Sequence, residues 1–366
     1  MPYRGAQSRS AGPWPAPAGA CTALLAAILL VACADAPTAP SSPAAVSSAA
    51  ARAAAAGISS AEFSRLLGII ADDSMRGRAT PSREVELTAA FAGAQFSSAG
   101  LTPGGEAGTF VQRFTLTAFA DHPTATAPNA VAILEGSDAT LRAEHLLVTA
   151  HMDHVGIAGG DQHCTAVGAD SICNGANDNG SGTVAVLQLA RAFAALQPRP
   201  RRTIVFAIFS GEERGLWGSM AYARAPALAL PQAVAVINVD MLGRNATDSL
   251  FIVGKTYSTL GDVTDRITRA HPETGMRLVN DPWDGLYFPR SDQYSFARLG
   301  VPSLFFFNGP HADVHTASDD LGKMDADAAV RAVRMIFYTI LDVADADHRP
   351  TWDPAARARW VVPFGR

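Results

Sequence analysis

The apolar run LLVTA at 146–150 leads directly into His151 and Asp153, and a loop then carries the chain into the Gly- and Asn-rich stretch 175–182. After that stretch Val186, Leu189, Ala190 and Phe193 fall on one face at helical spacing. The segment is therefore a β-loop-α unit, with Asp178 just ahead of its helix. The alternation recurs, with strands expected at 202–209, 233–239 and 303–307 and a helix at 218–225. Strands alternating with helices predict an α/β fold: a mixed, largely parallel central sheet with helices on both faces. In such sheets ligands gather beyond the carboxyl ends of the strands.

The flanks of this unit set the domain organisation. Arg4 and Arg9 precede an uncharged apolar run at 20–32, too short for a stable bilayer anchor, so residues 1–32 read as an export signal. LVAC at 30–33 resembles the bacterial lipoprotein signal, in which Cys33 becomes the lipid-bearing first residue; ACA at 32–34 also fits an ordinary small-residue cleavage site. Residues 33–57 are nearly all Ala, Ser, Pro and Thr and read as a disordered tether. One domain is expected over 58–345, its 58–125 part made of helices and strands, with an extension over 346–366. The expected location is the periplasm or cell envelope, with the membrane met only through the lipid.

Removing Arg4 and Arg9 takes the formal charge from −5 to −7. With no basic cluster, nucleic acid is excluded as a partner. Of four cysteines, Cys21 leaves with the signal and Cys33 is claimed by lipid. Cys164 and Cys173 remain, and in an oxidising compartment they are expected to form a disulfide that pins the loop presenting Asp178. The competing use of these thiolates with His163 on zinc has the wrong spacing for a zinc knuckle.

Each expected strand delivers acids or histidines to one rim. His151 and Asp153 follow the first, Glu212 and Glu213 the second, Asp240 the third, and His311, Asp313, His315 and Asp319 the last. Singly, each is ordinary, because a terminal Asp caps helices and a Glu pair is usually solvated. Jointly, Asp153, Asp178, Glu212, Glu213 and Asp240 crowd five carboxylates into one crevice with no Lys or Arg at those strand ends. Such a group does not stay ionised without a cation. Imidazoles with hard oxygen ligands suit zinc, and the surplus of ligands favours two ions about 3.5–4 Å apart sharing one carboxylate.

HMDHVG at 151–156, NGANDNGSG at 174–182, SGEERGLWGS at 210–219, NVDM at 238–241 and DVHT at 313–316 resemble, in order, the signature stretches of the co-catalytic di-zinc aminopeptidases, metallopeptidase family 28. The likeness runs from about residue 58 to 343 and includes MRGR at 75–78 and RSD at 290–292. It implies a zinc-exopeptidase-like three-layer sandwich that removes amino-terminal residues from peptides with a free amino terminus. It further implies that His151 and His315 share one zinc, that Glu213 and Asp240 hold the other, and that Asp178 bridges them. Asp153 would orient the His151 ring, and Glu212 would be the general base that takes a proton from water and returns it to the leaving amine.

Two departures from the family are visible. Val314 stands where some members carry a Tyr that helps hold the oxyanion, leaving Tyr287 or Tyr294 as substitutes, and Gln293 stands where many carry His. His154 and His311 are expected to face away from the ligands, and Asp319 to orient His315 or cap a helix. Trp217, Trp283, Tyr287 and Phe288 line a substrate pocket or belong to the core. The rival functions are a single-zinc glutaminyl cyclisation and a binding module that keeps the fold without the chemistry.

Overall fold

The computed structural model describes residues 45–116, 125–283 and 285–362. The export signal, Cys33 and the start of the tether lie outside the described residues. Nine strands among the described residues form one sheet: β1 (Thr102–Pro103), β2 (Val111–Thr115), β3 (Thr126–Leu134), β4 (His145–His151), β5 (Thr203–Phe209), β6 (Ala233–Asp240), β7 (Ser249–Val253), β8 (Arg277–Asn280) and β9 (Ser303–Phe307). Their order is β1-β3-β5-β4-β6-β9-β7-β8, with β2 also on β3. The centre, β5-β4-β6-β9, is parallel, while β3 and β7 join it antiparallel. The sheet is thus mixed and largely parallel, as the alternation predicted.

Every residue of the four central strands is buried, which is why they read as near-continuous apolar runs. Alternation along each strand sorts side chains to two faces. Val148, Ala150, Phe206, Ile208, Ile237 and Phe306 meet the larger helical layer, whereas Leu147, Val205, Phe209 and Val236 meet Tyr222, Phe296 and Val301 on the other. The larger layer holds α1 (Ser48–Ala56), α2 (Ser60–Ile70), α3 (Arg83–Ser98), α4 (Gly182–Ala194), α6 (Leu260–Ala270) and α8 (Ala326–Asp345). The smaller contributes α5 (Trp217–Arg224) and α7 (Tyr294–Ala297).

A helix occupies 48–56, where disorder was expected. Alanine is the strongest helix former, and Ser47 caps the first turn by accepting from Ala50 N. Ala51 and Ala55, four apart, are buried in the main core. Arg334 of α8 donates to the carbonyls of Ala55 and Ile58, and Val46 N donates to Asp345 Oδ2. The small-residue face thus offsets the ordering entropy that composition alone suggested it could not. The extension after 345 is likewise folded on: α9 (Pro354–Trp360) is capped by Asp353 and packs Trp360 on Tyr257, Phe288 and Tyr294.

Because β5 and β6 flank β4 on opposite sides, chain direction away from the sheet reverses at β4. A crevice opens at such a switch point, beyond the carboxyl end. His151 ends β4 and Asp240 ends β6 on that rim.

Candidate metal centre

At the rim the acids and histidines converge. His151 Nε2 lies 3.4 Å from Asp240 Oδ2, 3.5 Å from Asp178 Oδ1 and 4.0 Å from Glu212 Oε2. His315 Nε2 lies 3.3 Å from Asp178 Oδ2 and 3.1 Å from Glu213 Oε2. The ligand-type atoms form two groups, His151 with Glu212 and Asp240, and His315 with Glu213, Asp178 and His154. Asp178 turns one oxygen to each histidine. The pairing differs from the expected one: His151 goes with Asp240, and His315 with Glu213. His151 and Asp240 end strands that share a register, while His315 arrives on a separate loop on the other side of Asp178.

The fit to zinc is testable on these distances. Four ligands at about 2.0–2.1 Å around a tetrahedral ion stand about 3.3 Å from one another. The spacings of 3.1–3.5 Å between the histidine nitrogens and their nearest carboxylate oxygens match that edge. Asp240 Oδ1, Asp153 Oδ2 and His154 Nε2 are buried without a hydrogen-bond partner among the described residues. The donor set and the orphaned oxygens fit a divalent cation.

Proton affinities show the same need for positive charge. Burial lowers His315, but Asp178 and Glu213 outweigh it and push the imidazole up to about 10. Burial likewise lowers His151, and Asp240 and Glu212 outweigh it and hold it well above its ordinary value. Burial raises Glu212 well above the carboxylate range, whereas bonds to His154 and His315 overcome burial and hold Glu213 far below it. Neighbouring glutamates thus differ sharply in basicity.

The surrounding residues set the geometry. His151 Nδ1 donates to the Asp153 carbonyl at 3.1 Å, with the Asp153 carboxylate further off at 3.6 Å. The Asp153 Oδ1 atom instead accepts from Glu212 N. Ser291 Oγ donates to Asp240 Oδ2. Asp319 accepts from the backbone N–H groups of Asn177 and Asp178, both at 2.9 Å, so it shapes the Asp178 loop rather than capping a helix or holding His315. Gly175 has φ +58°, and a Cβ there would lie 2.4 Å from the His154 ring, so only glycine fits.

His154 and Arg78 escaped the sequence reading. His154 Nδ1 donates to Glu213 Oε1 at 3.0 Å, because β4 stops at His151 and strand alternation no longer applies at 154. The signal was Gly156, whose φ of +79° marks the chain leaving extended geometry. Arg78 is fully buried and donates to the carbonyls of Ile70, Met152, Asn174 and Gly175. His311 lies apart from the ligand groups, donating from Nε2 to Asn177 Oδ1. Tyr287 and Tyr294 pack in an aromatic cluster, and no described hydrogen bond joins either hydroxyl to the acids. Gln293 turns inward and donates to the Phe288 carbonyl. Trp217 and Phe288 are core, while Trp283 and Tyr287 are half-buried. Cys164 and Cys173 form the expected disulfide.

Residues 129–340 match the family model for peptidase family M28. The chain belongs to peptidase family M28. A probable leucine aminopeptidase of Arthroderma otae is 26% identical over 235 residues, 60% of this chain and 58% of that protein. The chain spans less than two thirds of its curated relatives, down to 15% of a vacuolar membrane protease of Pyricularia oryzae. Among solved structures, the zinc aminopeptidase BSAP of Bacillus subtilis superposes with a TM-score of 0.61 at 14% identity, covering 79% of this chain and 96% of that one. A glutaminyl cyclase of Porphyromonas gingivalis superposes with a TM-score of 0.61 at 19% identity, over 77% of this chain and 97% of that one. Both structures share the fold described above.

Proposed function

We propose that this M28 peptidase is a zinc aminopeptidase with two ions held at the rim of β4. In this reading His151 and Asp240 hold one, His315 and Glu213 the other, and Asp178 serves both. The observation that carries it is the pair of histidine-carboxylate clusters at tetrahedral edge spacing, joined through the two oxygens of Asp178. Zinc bound there supplies Lewis-acid polarisation of the scissile carbonyl and lowers the pKa of water.

Glu212 is the general base. Its carboxylate, 4.0 Å from His151 Nε2 with the Glu212 backbone N–H held by Asp153, is placed to take a proton from water and return it to the leaving amine. Asp153 also holds the His151 ring through its carbonyl, so one residue sets both base and ligand. His154 keeps Glu213 aimed. The crevice carries surplus negative charge that favours a substrate α-amine. Met241 and Val314, next to Asp240 and His315, join Trp283, Tyr287 and Phe307 in one apolar cluster, which suits an apolar amino-terminal side chain. Export, and an anchor through Cys33, complete the proposal.

The glutaminyl cyclase reading uses one zinc, and two ligand groups on one bridging aspartate argue for peptide hydrolysis instead. The test is release of anilide from a panel of amino-terminal aminoacyl anilides, for the natural chain and Glu212→Gln, with zinc content measured in parallel. Loss of the base is expected to lower kcat about 10²–10⁴-fold with zinc content unchanged. Activity retained in Glu212→Gln contradicts the assigned base, and cyclisation of glutaminyl peptides without amino-acid release supports the rival.

A further inference from the structure

We propose that the hairpin closed by Cys164–Cys173 is the positioning element of His315, acting through the backbone of Thr165. This inference rests on the zinc-centre reading. His315 has a left-handed φ of +59°, and its side chain is 38% exposed on a loop rather than a strand. Histidine enters this region more readily than most residues, yet it is still uncommon there, and the contacts around it fix the conformation. Here the turn closed by Thr316 N and Oγ1 on the Asp313 carbonyl shapes the backbone, and Thr165 grips it from outside. Its N–H donates to the His315 carbonyl at 2.9 Å, and its own carbonyl accepts from Ala317 N at 2.9 Å, so the peptide groups of one residue bracket the ligand.

Thr165 is exposed, as is most of the hairpin from 163 to 171, so it has little packing of its own to hold it still. Its covalent tie is the disulfide one residue away. Cys173, at the far end of that bond, is fully buried, and its N–H donates to the Gly156 carbonyl, while Gly156 N donates to Gly77. Beyond Cys173 the chain runs through Asn174, whose carbonyl is taken by Arg78, into the Asp178 loop. The disulfide therefore links, over a few residues on each side, the two donors that face one another at 3.3 Å, His315 and Asp178. The expected pin on the Asp178 loop is present, and it reaches the histidine as well.

The experiment is zinc and cobalt titration of the metal-stripped full chain, followed by calorimetry and cobalt absorbance, for the natural protein, Cys164→Ser/Cys173→Ser, Thr165→Pro and Thr165→Ala. The natural chain is expected to bind two ions. Thr165→Pro, which lacks the N–H that grips His315, is expected to weaken one of the two ions about 10–100-fold and leave the other unchanged, and the double serine variant, which also frees the Asp178 loop that serves both, to weaken that same ion the more. Thr165→Ala keeps both peptide groups and is expected to bind as the natural chain does. Two full-affinity ions in both the serine and proline variants overturn the inference, as does parallel loss of both ions with the cooperative unfolding transition. If the natural chain binds no zinc, the metal-centre reading fails first and this inference with it.

Discussion

Two buried histidines bound the same strand and titrate in opposite directions. His151, at the carboxyl end of β4, lies among carboxylates and is held well above its ordinary value. His145, at the other end, has no partner on either ring nitrogen among the described residues, and burial, helped by the Arg349 charge, lowers it to about 4. Its ordinary value is 6.5, so between pH 6.5 and 4 the unfolded chain binds a proton that the folded chain refuses. The stability His145 contributes is therefore intact above pH 6.5 and is lost as the pH falls toward 4, by about 3 kcal/mol at most. Replacing it with Gln is expected to flatten stability over that window. Urea midpoints at pH 7 and 4.5 check it, and an unchanged acid loss in the variant contradicts it. The carboxylates and His151 were legible by type and order along the chain. His154 was not, because which way a side chain points after a strand ends depends on local φ and ψ, not on spacing.

At the scale of elements, Arg78 connects the helical entry segment to the chain just past β4, which carries Asp153, and to the loop that carries Asp178. Burial lowers its pKa to about 10, opposed by Asp153, Asp319, Asp178 and Glu213, so it stays charged at neutral pH beside the acids. Its guanidinium satisfies carbonyls at residues 70, 152, 174 and 175, at 2.5–3.0 Å. Arg78→Met leaves these acceptors without that donor at about 1–3 kcal/mol each, several kcal/mol in all, and is expected to lower Tm by about 5–10 °C. Arg78→Lys keeps the charge, but one ammonium lacks the planar fork that spans these carbonyls, so an intermediate loss is expected. Calorimetry of both variants decides, and a Met variant as stable as the natural chain removes Arg78 from this role. The motif around Arg78 was visible in sequence as an isolated block. That it serves loops 74 to 97 residues away was not, since nothing local records where a buried cation finds its acceptors.

For the whole molecule, the rim carries more carboxylate charge than its imidazoles balance, and metal binding and folding are linked. A ligand present at about 100 times its Kd adds about 2.7 kcal/mol per site to stability. Removing zinc with a chelator is expected to abolish activity and lower Tm by several degrees, with both restored by zinc. Equal Tm values with and without chelator contradict this. Acid is expected to weaken zinc, because His151 and His315 must give up protons that their carboxylate neighbours hold tightly.

The alternation of central strands with helices, the parallel core and the acids along its rim were legible in the sequence alone, whereas β1, β7, β8 and α6 were not. Apolar periodicity and burial are local enough to read from neighbouring residues. Only the tertiary structure decided that His151 pairs with Asp240 and His315 with Glu213, that residues 48–56 are helical and that Thr165 grips His315. Each of these depends on which distant surface a short segment meets, and that is set by how the whole chain packs rather than by the order of its residues.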